Sequence, residues 1–116
     1  MESILDSVKK KCGIDAAYDQ FDDGDLIDHI NSVFSDLNQL GVGPAEGFVI
    51  SDSHANWDDY LVEDAMKLQS VKTYMFLRIK LIFDPPTQAA VLESYQNQID
   101  KFEWRLNVAA ESTQNN

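Results

Sequence analysis

Between Leu61 and Phe83 apolar side chains recur around most of a helical circumference, and no other feature narrows the fold of this 116-residue chain as much. Stepped at about 100° per residue, Leu61, Ala65, Leu68, Val71, Met75, Ile79 and Ile82 form one broad stripe and Tyr74, Leu77 and Leu81 a second. Val62, Met66 and Phe76 share the remaining arc with Gln69, Thr73 and Lys80. A helix apolar on so many sides needs neighbours on most of them. Trp57-Asp58-Asp59-Tyr60 reads as its entry, with two carboxylates near the positive end of the dipole and aromatics able to fold back onto the bundle. Phe83-Asp84-Pro85-Pro86 then forms a turn motif, because proline lacks a donor and disfavours helix in the residue before it, and Thr87 can cap a successor.

The remaining segments supply those neighbours. Val91, Tyr95, Ile99, Phe102 and Leu106 make a narrow stripe that would lie antiparallel on the long helix across a tight turn. Near the N-terminus Ile4, Leu5, Val8 and Cys12 share a helical face from roughly Ser3 to Cys12, with Ser3 as N-cap and Gly13 as the stop. An acid-rich linker follows through Tyr18, Phe21, Asp22 and Gly24, and Asp22 or Asp23 is placed to cap the next helix. In that helix Leu26, Ile27, Ile30, Val33, Phe34, Leu37 and Leu40 fall in an arc of roughly 140°, and Gly41 ends it. Gly41-Val42-Gly43-Pro44 breaks the pattern, and Phe48-Val49-Ile50 is β-prone but too brief for a helix. The fold expected is all-α: a small four-helix bundle with a short extended or hairpin excursion near 46–56. One helical domain should cover 1–108, with small polar residues 109–116 as a mobile C-terminal tail.

Charge excludes several functions. The chain carries 9 basic and 20 acidic residues, a net charge of −11, and the imbalance is concentrated in residues 1–60, with 13 acids and 3 bases. The only tight basic run is Lys9-Lys10-Lys11, which argues against duplex DNA binding by counterion release and against docking on anionic lipid. A strongly acidic surface instead aids solubility, imitates nucleic acid, or lines a passage that DNA must cross without sticking. No apolar run approaches the roughly 20 residues of a membrane span. The opening Met1-Glu2-Ser3-Ile4-Leu5-Asp6 lacks the basic start and apolar core of a signal peptide, and the single Cys12 permits no internal disulfide, so a cytoplasmic protein is expected.

Catalytic and metal motifs are weak. Asp23-Gly24 could occupy two positions of a calcium loop, but in that register Phe21 and Ile30 fall where oxygen ligands belong, so a helix N-terminus is the better reading of Asp19 to Asp25. Ser53, His54 and Asp52 assemble a triad only on paper, since nucleophile, base and orienter converge from separate elements. Paired Cys or His spacing and glycine-rich phosphate loops are lacking, so no enzyme activity, metal or cofactor is expected.

Trp104 is more informative. It falls roughly 180° from the centre of the stripe on the last helix, among Ala90, Glu93, Asn97, Lys101 and Val108. Either it covers the first helix as secondary core, or it anchors a partner or another subunit, a role in which tryptophan and the neighbouring Arg105 are both enriched.

Leu81-Ile82-Phe83-Asp84-Pro85-Pro86-Thr87, followed by a helix ending Glu103-Trp104-Arg105-Leu106-Asn107, resembles the head-tail connector (adaptor, or head-completion) proteins of tailed bacteriophages. Phe21-Asp22, Ile30-Asn31-Ser32-Val33-Phe34, Leu40-Gly41-Val42-Gly43 and Trp57-Asp58-Asp59-Tyr60 extend the likeness over nearly the whole chain. The resemblance implies a non-enzymatic virion protein of the neck, assembled in the host cytoplasm as a homo-oligomeric ring of about twelve copies. Such a ring would sit beneath the portal protein, extend the DNA channel and meet a tail-proximal connector or stopper protein. The subunit or partner interface would comprise Trp104, Arg105, Leu106, Asn107 and Val108 with Trp57. The competing reading from another class is an acidic DNA-mimic inhibitor of a host defence or transcription protein, using the carboxylates of the first half.

Overall fold

The computed structural model describes residues 2–13, 23–62 and 64–114, with the backbone alone for Asp23 and residues 111–114. The linker through Tyr18, Phe21 and Asp22, with the Asp22 cap and the start of the Asp19 to Asp25 acid run, lies outside them.

The first helix, α1 (Ile4–Lys11), forms where the periodicity places it: the Ser3 side chain accepts from the Asp6 amide at 3.3 Å, and Gly13 leaves the helix at φ +72. Its Lys9, Lys10 and Lys11 complement the negative end of the helix dipole. The second, α2 (Asp23–Gln39), buries Leu26, Ile30, Val33, Phe34 and Leu37. The Gly41 φ of +87 lets the chain turn back, and the Val42 amide donates to the Leu37 carbonyl at 2.9 Å.

The excursion after α2 forms no hairpin: residues 47–50 carry no regular structure, bends and a turn follow at 51–54, and Gly47 lies at φ +92. Asn31 on α2 holds it: its side-chain oxygen accepts from the Ile50 amide at 2.8 Å and its amide donates to the Ile50 carbonyl at 2.9 Å. One side chain thus satisfies both backbone groups of Ile50, as a neighbouring strand would. Among the described residues no strand forms, and an isolated antiparallel bridge joins Ser3 to Asn56. Beside it the Ile4 amide donates to the Ala55 carbonyl and the Trp57 amide to the Glu2 carbonyl.

Sequence periodicity merges Trp57-Asp58-Asp59-Tyr60 into the long helix, and the structure separates them. They form a single turn, α3 (Trp57–Tyr60), closed by a reciprocal capping box between Asn56 and Asp59. Leu61 is extended at φ −151, and the long helix, α4 (Ala65–Phe83), begins after Asp64, whose side chain accepts from the Lys67 amide at 2.9 Å. Two N-caps, Asn56 and Asp64, produce two starts where the apolar pattern alone indicates one.

Trp57 and Tyr60 fold inward beside Phe34, Phe48 and Phe76 to form an aromatic cluster. Gly43 passes directly over the Tyr60 ring at φ +88, where an added Cβ would stand 2.6 Å from Cε1. The Tyr60 hydroxyl is buried with no hydrogen-bond partner among the described residues.

The last helix, α5 (Ala89–Gln114), packs antiparallel on α4, and α1 and α2 also pack on α4. That arrangement explains the apolar circumference of α4, with Val71, Tyr74, Met75 and Ile79 buried. Helix α5 runs six residues beyond Val108, to Gln114, because Ala110 is still buried against the bundle. Ala109 and Ala110 are the best of helix formers and carry α5 past Val108. The architecture is therefore an all-α bundle of four main helices plus the one-turn α3.

Candidate functional site

From Ile99 onward helix α5 has a packed and an open side, while Val91 at its start is 38% exposed. Ile99 and Leu106 are buried and Phe102 half-buried on the inner side, while Lys101, Trp104 and Arg105 point outward. Trp104 is 67% exposed and Val108, one turn on, is 37% exposed, so the tryptophan does not cover the first helix as secondary core. Nothing else in the described residues covers that ring, on a helix whose other face is packed.

The expected interface residues separate into three environments. Trp104, Arg105 and Val108 are surface. Leu106 is core, and Asn107 is half-buried, its amide donating to the Leu40 carbonyl at the end of α2. Trp57 does not belong to the surface at all: it is 2% exposed, and its indole Nε1 donates to Ser7 Oγ at 2.8 Å. Ser7 Oγ donates in turn to the Ile4 carbonyl, so a complete buried network consumes this tryptophan. The turn motif serves the fold. Phe83 packs edge-on to His29 with ring centroids 5.4 Å apart, Asp84 accepts from Lys80 at 3.4 Å, and Pro85 and Pro86 reverse the chain into α5.

A polar network fixes the pose of α5 behind Trp104. The Tyr74 hydroxyl donates to Glu103 at 2.7 Å and accepts from Arg78 at 2.6 Å, and Arg78 also donates to Asp36 on α2 at 2.8 Å. Burial drives the Tyr74 hydroxyl pKa upward and the Glu103 carboxylate adds to it, so the proton stays on the phenol. Burial opposes the Arg78 charge, but bonding to Asp36 and Tyr74 outweighs it and holds the guanidinium ionised. Three helices are locked in register beside the exposed tryptophan. Arg78 within an otherwise apolar stretch was the available sequence signal for this network.

A second exposed apolar pair was not legible from periodicity. Val62 is 77% exposed in the link between α3 and α4, and Met66 in the first turn of α4 is 84% exposed, with exposed Asp58, Asp59 and Asp64 nearby in sequence. His54 is exposed, and both its backbone amide and its Nδ1 engage Asp52, at 2.8 and 3.2 Å. The His54 amide bond pulls the Asp52 carboxyl pKa down. Cys12 is buried, its pKa pushed up to about 11 by burial despite Lys80 nearby, which leaves a neutral thiol at ordinary pH. Among the described residues no three potential metal ligands converge, and no helix is long and apolar enough to cross a membrane.

Comparison with known proteins adds one finding. The model of the phage connector protein family matches residues 4–113, from the first residue of α1 to the last turn of α5. No curated protein and no solved structure matches the chain. The match covers all five helices, including the outward face of α5 and the turn that sets it, and on that extent the chain belongs to the phage connector protein family, a family of structural virion components.

Proposed function

We propose that this connector forms a ring beneath the portal, extends the DNA channel toward the tail, and meets a tail-side stopper or connector protein at its other end. The observation that carries the reading is the outward face of α5, where Trp104 stands 67% exposed beside Arg105 and Val108 on a helix already packed on its opposite side. Such a face supplies the aromatic and arginine anchors that dominate interface energetics. The acid-rich first half supports passage of DNA: exposed Asp25, Asp28, Glu46, Asp52, Asp58 and Asp59 repel phosphate and outnumber the one tight basic run, Lys9-Lys10-Lys11. The protein would act in the neck of the virion after assembly in the host cytoplasm.

The end of α5 has a part in the same reading. Beyond Ala110 the helix continues to Gln114 with polar side chains, a segment suited to being gripped by the portal. The experiment is a binding titration against purified portal, with Trp104→Ala as the variant. Loss of about 2 kcal/mol or more of affinity, with helicity and melting preserved, is the expected result. Equal binding by parent and variant would show that this face is not the attachment surface.

A further inference from the structure

We propose that the cleft between α2 and the loop at 46–49 receives an arginine side chain carried on an extended segment of a partner protein. This docking holds whether or not the chain forms a ring.

The cleft has a volume of about 330 Å³, near the lower limit of roughly 300 Å³ for ligand pockets, which suits one long side chain better than a cofactor. Half-buried Phe48 makes its apolar floor, set edge-on to buried Phe34 with ring centroids 5.1 Å apart. Its polar wall consists of acceptors. Asn38 uses its amide on the Pro44 carbonyl at 3.1 Å, which leaves the side-chain oxygen, while Ser35 Oγ and the exposed Glu46 carboxylate have no partner among the described residues. A carboxylate, an amide oxygen and a hydroxyl beside an aromatic ring match a guanidinium, which is planar, always charged and presents donors alone.

No cation competes for that place. Residues 12–66 contain no lysine or arginine, and exposed Asp28 continues the Ser35 flank of α2, about 20° away at 100° per residue. Arg78 is bound to Asp36, which falls about 140° round α2 from Asn31 at the cleft. Lys9 lines a separate cleft together with Asp6 and Asp52. The backbone defines the rest of the occupant. The amides and carbonyls of Phe48 and Val49 make no hydrogen bond among the described residues, and the Val49 side chain stands 72% exposed. An extended segment can pair along them and cover the valine. Arg78 and Arg105 are the only arginines in the sequence and both lie in helices, so that segment belongs to another protein.

The probe is a fluorescein-labelled peptide of valine and threonine around one central arginine, titrated with the full chain and read by anisotropy. Glu46→Gln should weaken its binding about tenfold, by removing a charge-assisted hydrogen bond, and Asp25→Asn, at the start of α2, by less than about twofold. Both positions are exposed, so each variant should keep the parent's circular dichroism. Replacing the arginine by citrulline, which keeps the shape and loses the charge, should weaken binding at least about tenfold, and replacing it by lysine at least about threefold. In an NMR titration with the arginine peptide, the amide signals of Ser35, Asn38, Phe48 and Val49 should shift.

Absence of binding up to about 1 mM overturns the proposal. Equal losses in Glu46→Gln and Asp25→Asn would show that net charge attracts the peptide and not the cleft. Equal binding of the citrulline or lysine peptide would show that no guanidinium is read. Either result overturns the proposal, as do NMR shifts confined to residues outside the cleft.

Discussion

Replacing Gly43 by alanine tests the loop packing that sets the position of α3. Gly43 sits at φ +88, and a Cβ there would meet Tyr60 Cε1 at 2.6 Å and both Cζ and the hydroxyl oxygen at 2.8 Å. The ring has little room to retreat, because its centroid is 4.7 Å from that of Phe34 and 5.2 Å from that of Phe48. Two costs follow: about 1–2 kcal/mol for an L-residue at positive φ and about 1–3 kcal/mol for overpacking. Gly47→Ala separates them, since Gly47 has φ +92 but nothing within 4 Å of the added methyl. Urea titration followed by circular dichroism should therefore place Gly43→Ala below Gly47→Ala by about 1–3 kcal/mol, the overpacking share alone. Removing the hydroxyl in Gly43→Ala/Tyr60→Phe should rescue little, because Cε1 remains the nearest atom. Equal losses in the two glycine variants would mean that Tyr60 does not press on this loop, and the account of the aromatic cluster would fall.

Other outcomes are specific. Ser7→Ala should cost about 1–3 kcal/mol by stranding the buried Trp57 Nε1–H, read in the same urea titration. Trp104→Ala, at a site 67% exposed, should change fold stability by less than about 1 kcal/mol; a loss of several would return the residue to the core. Cys12 should resist alkylation in the native state at pH 8 and react once urea unfolds the chain. Because its folded pKa of about 11 lies above the reference 9.0, the unfolded chain loses that proton first, so its contribution to stability should fall as pH rises from about 9 to 11, and Cys12→Ala should remove that part of the slope. Truncation after Ala110 should leave the melting curve unchanged while weakening attachment to portal-bearing heads, and equal attachment would show that the end of α5 has no docking part.

Helical periodicity revealed most of the architecture because burial acts on it directly. The stripe of α2, the cap at Ser3, the stop at Gly41 and the Pro85-Pro86 turn all stand where local chemistry puts them. The break at Leu61 to Asp64 was not legible, since a continuous apolar pattern gives no sign that Asn56 and Asp64 each cap a separate helix. Trp57 shows the limit at the level of single residues. Its place near a helix start was readable, but its burial depends on Ser7, fifty positions away in sequence, and on the Phe34 cluster, contacts that only the assembled bundle creates. Trp104 was the reverse case: angular position alone set it opposite the packed stripe, and the structure leaves it bare. Asn31 gave no local signal, because holding Ile50 requires the loop to return to α2.

The most direct test of a connector role is completion of portal-bearing heads assembled without this protein. Purified chain should bind those heads at the portal vertex, appear there as a ring by electron microscopy, and allow tails to attach. Heads that bind no chain, or that accept tails equally well without it, would contradict the account.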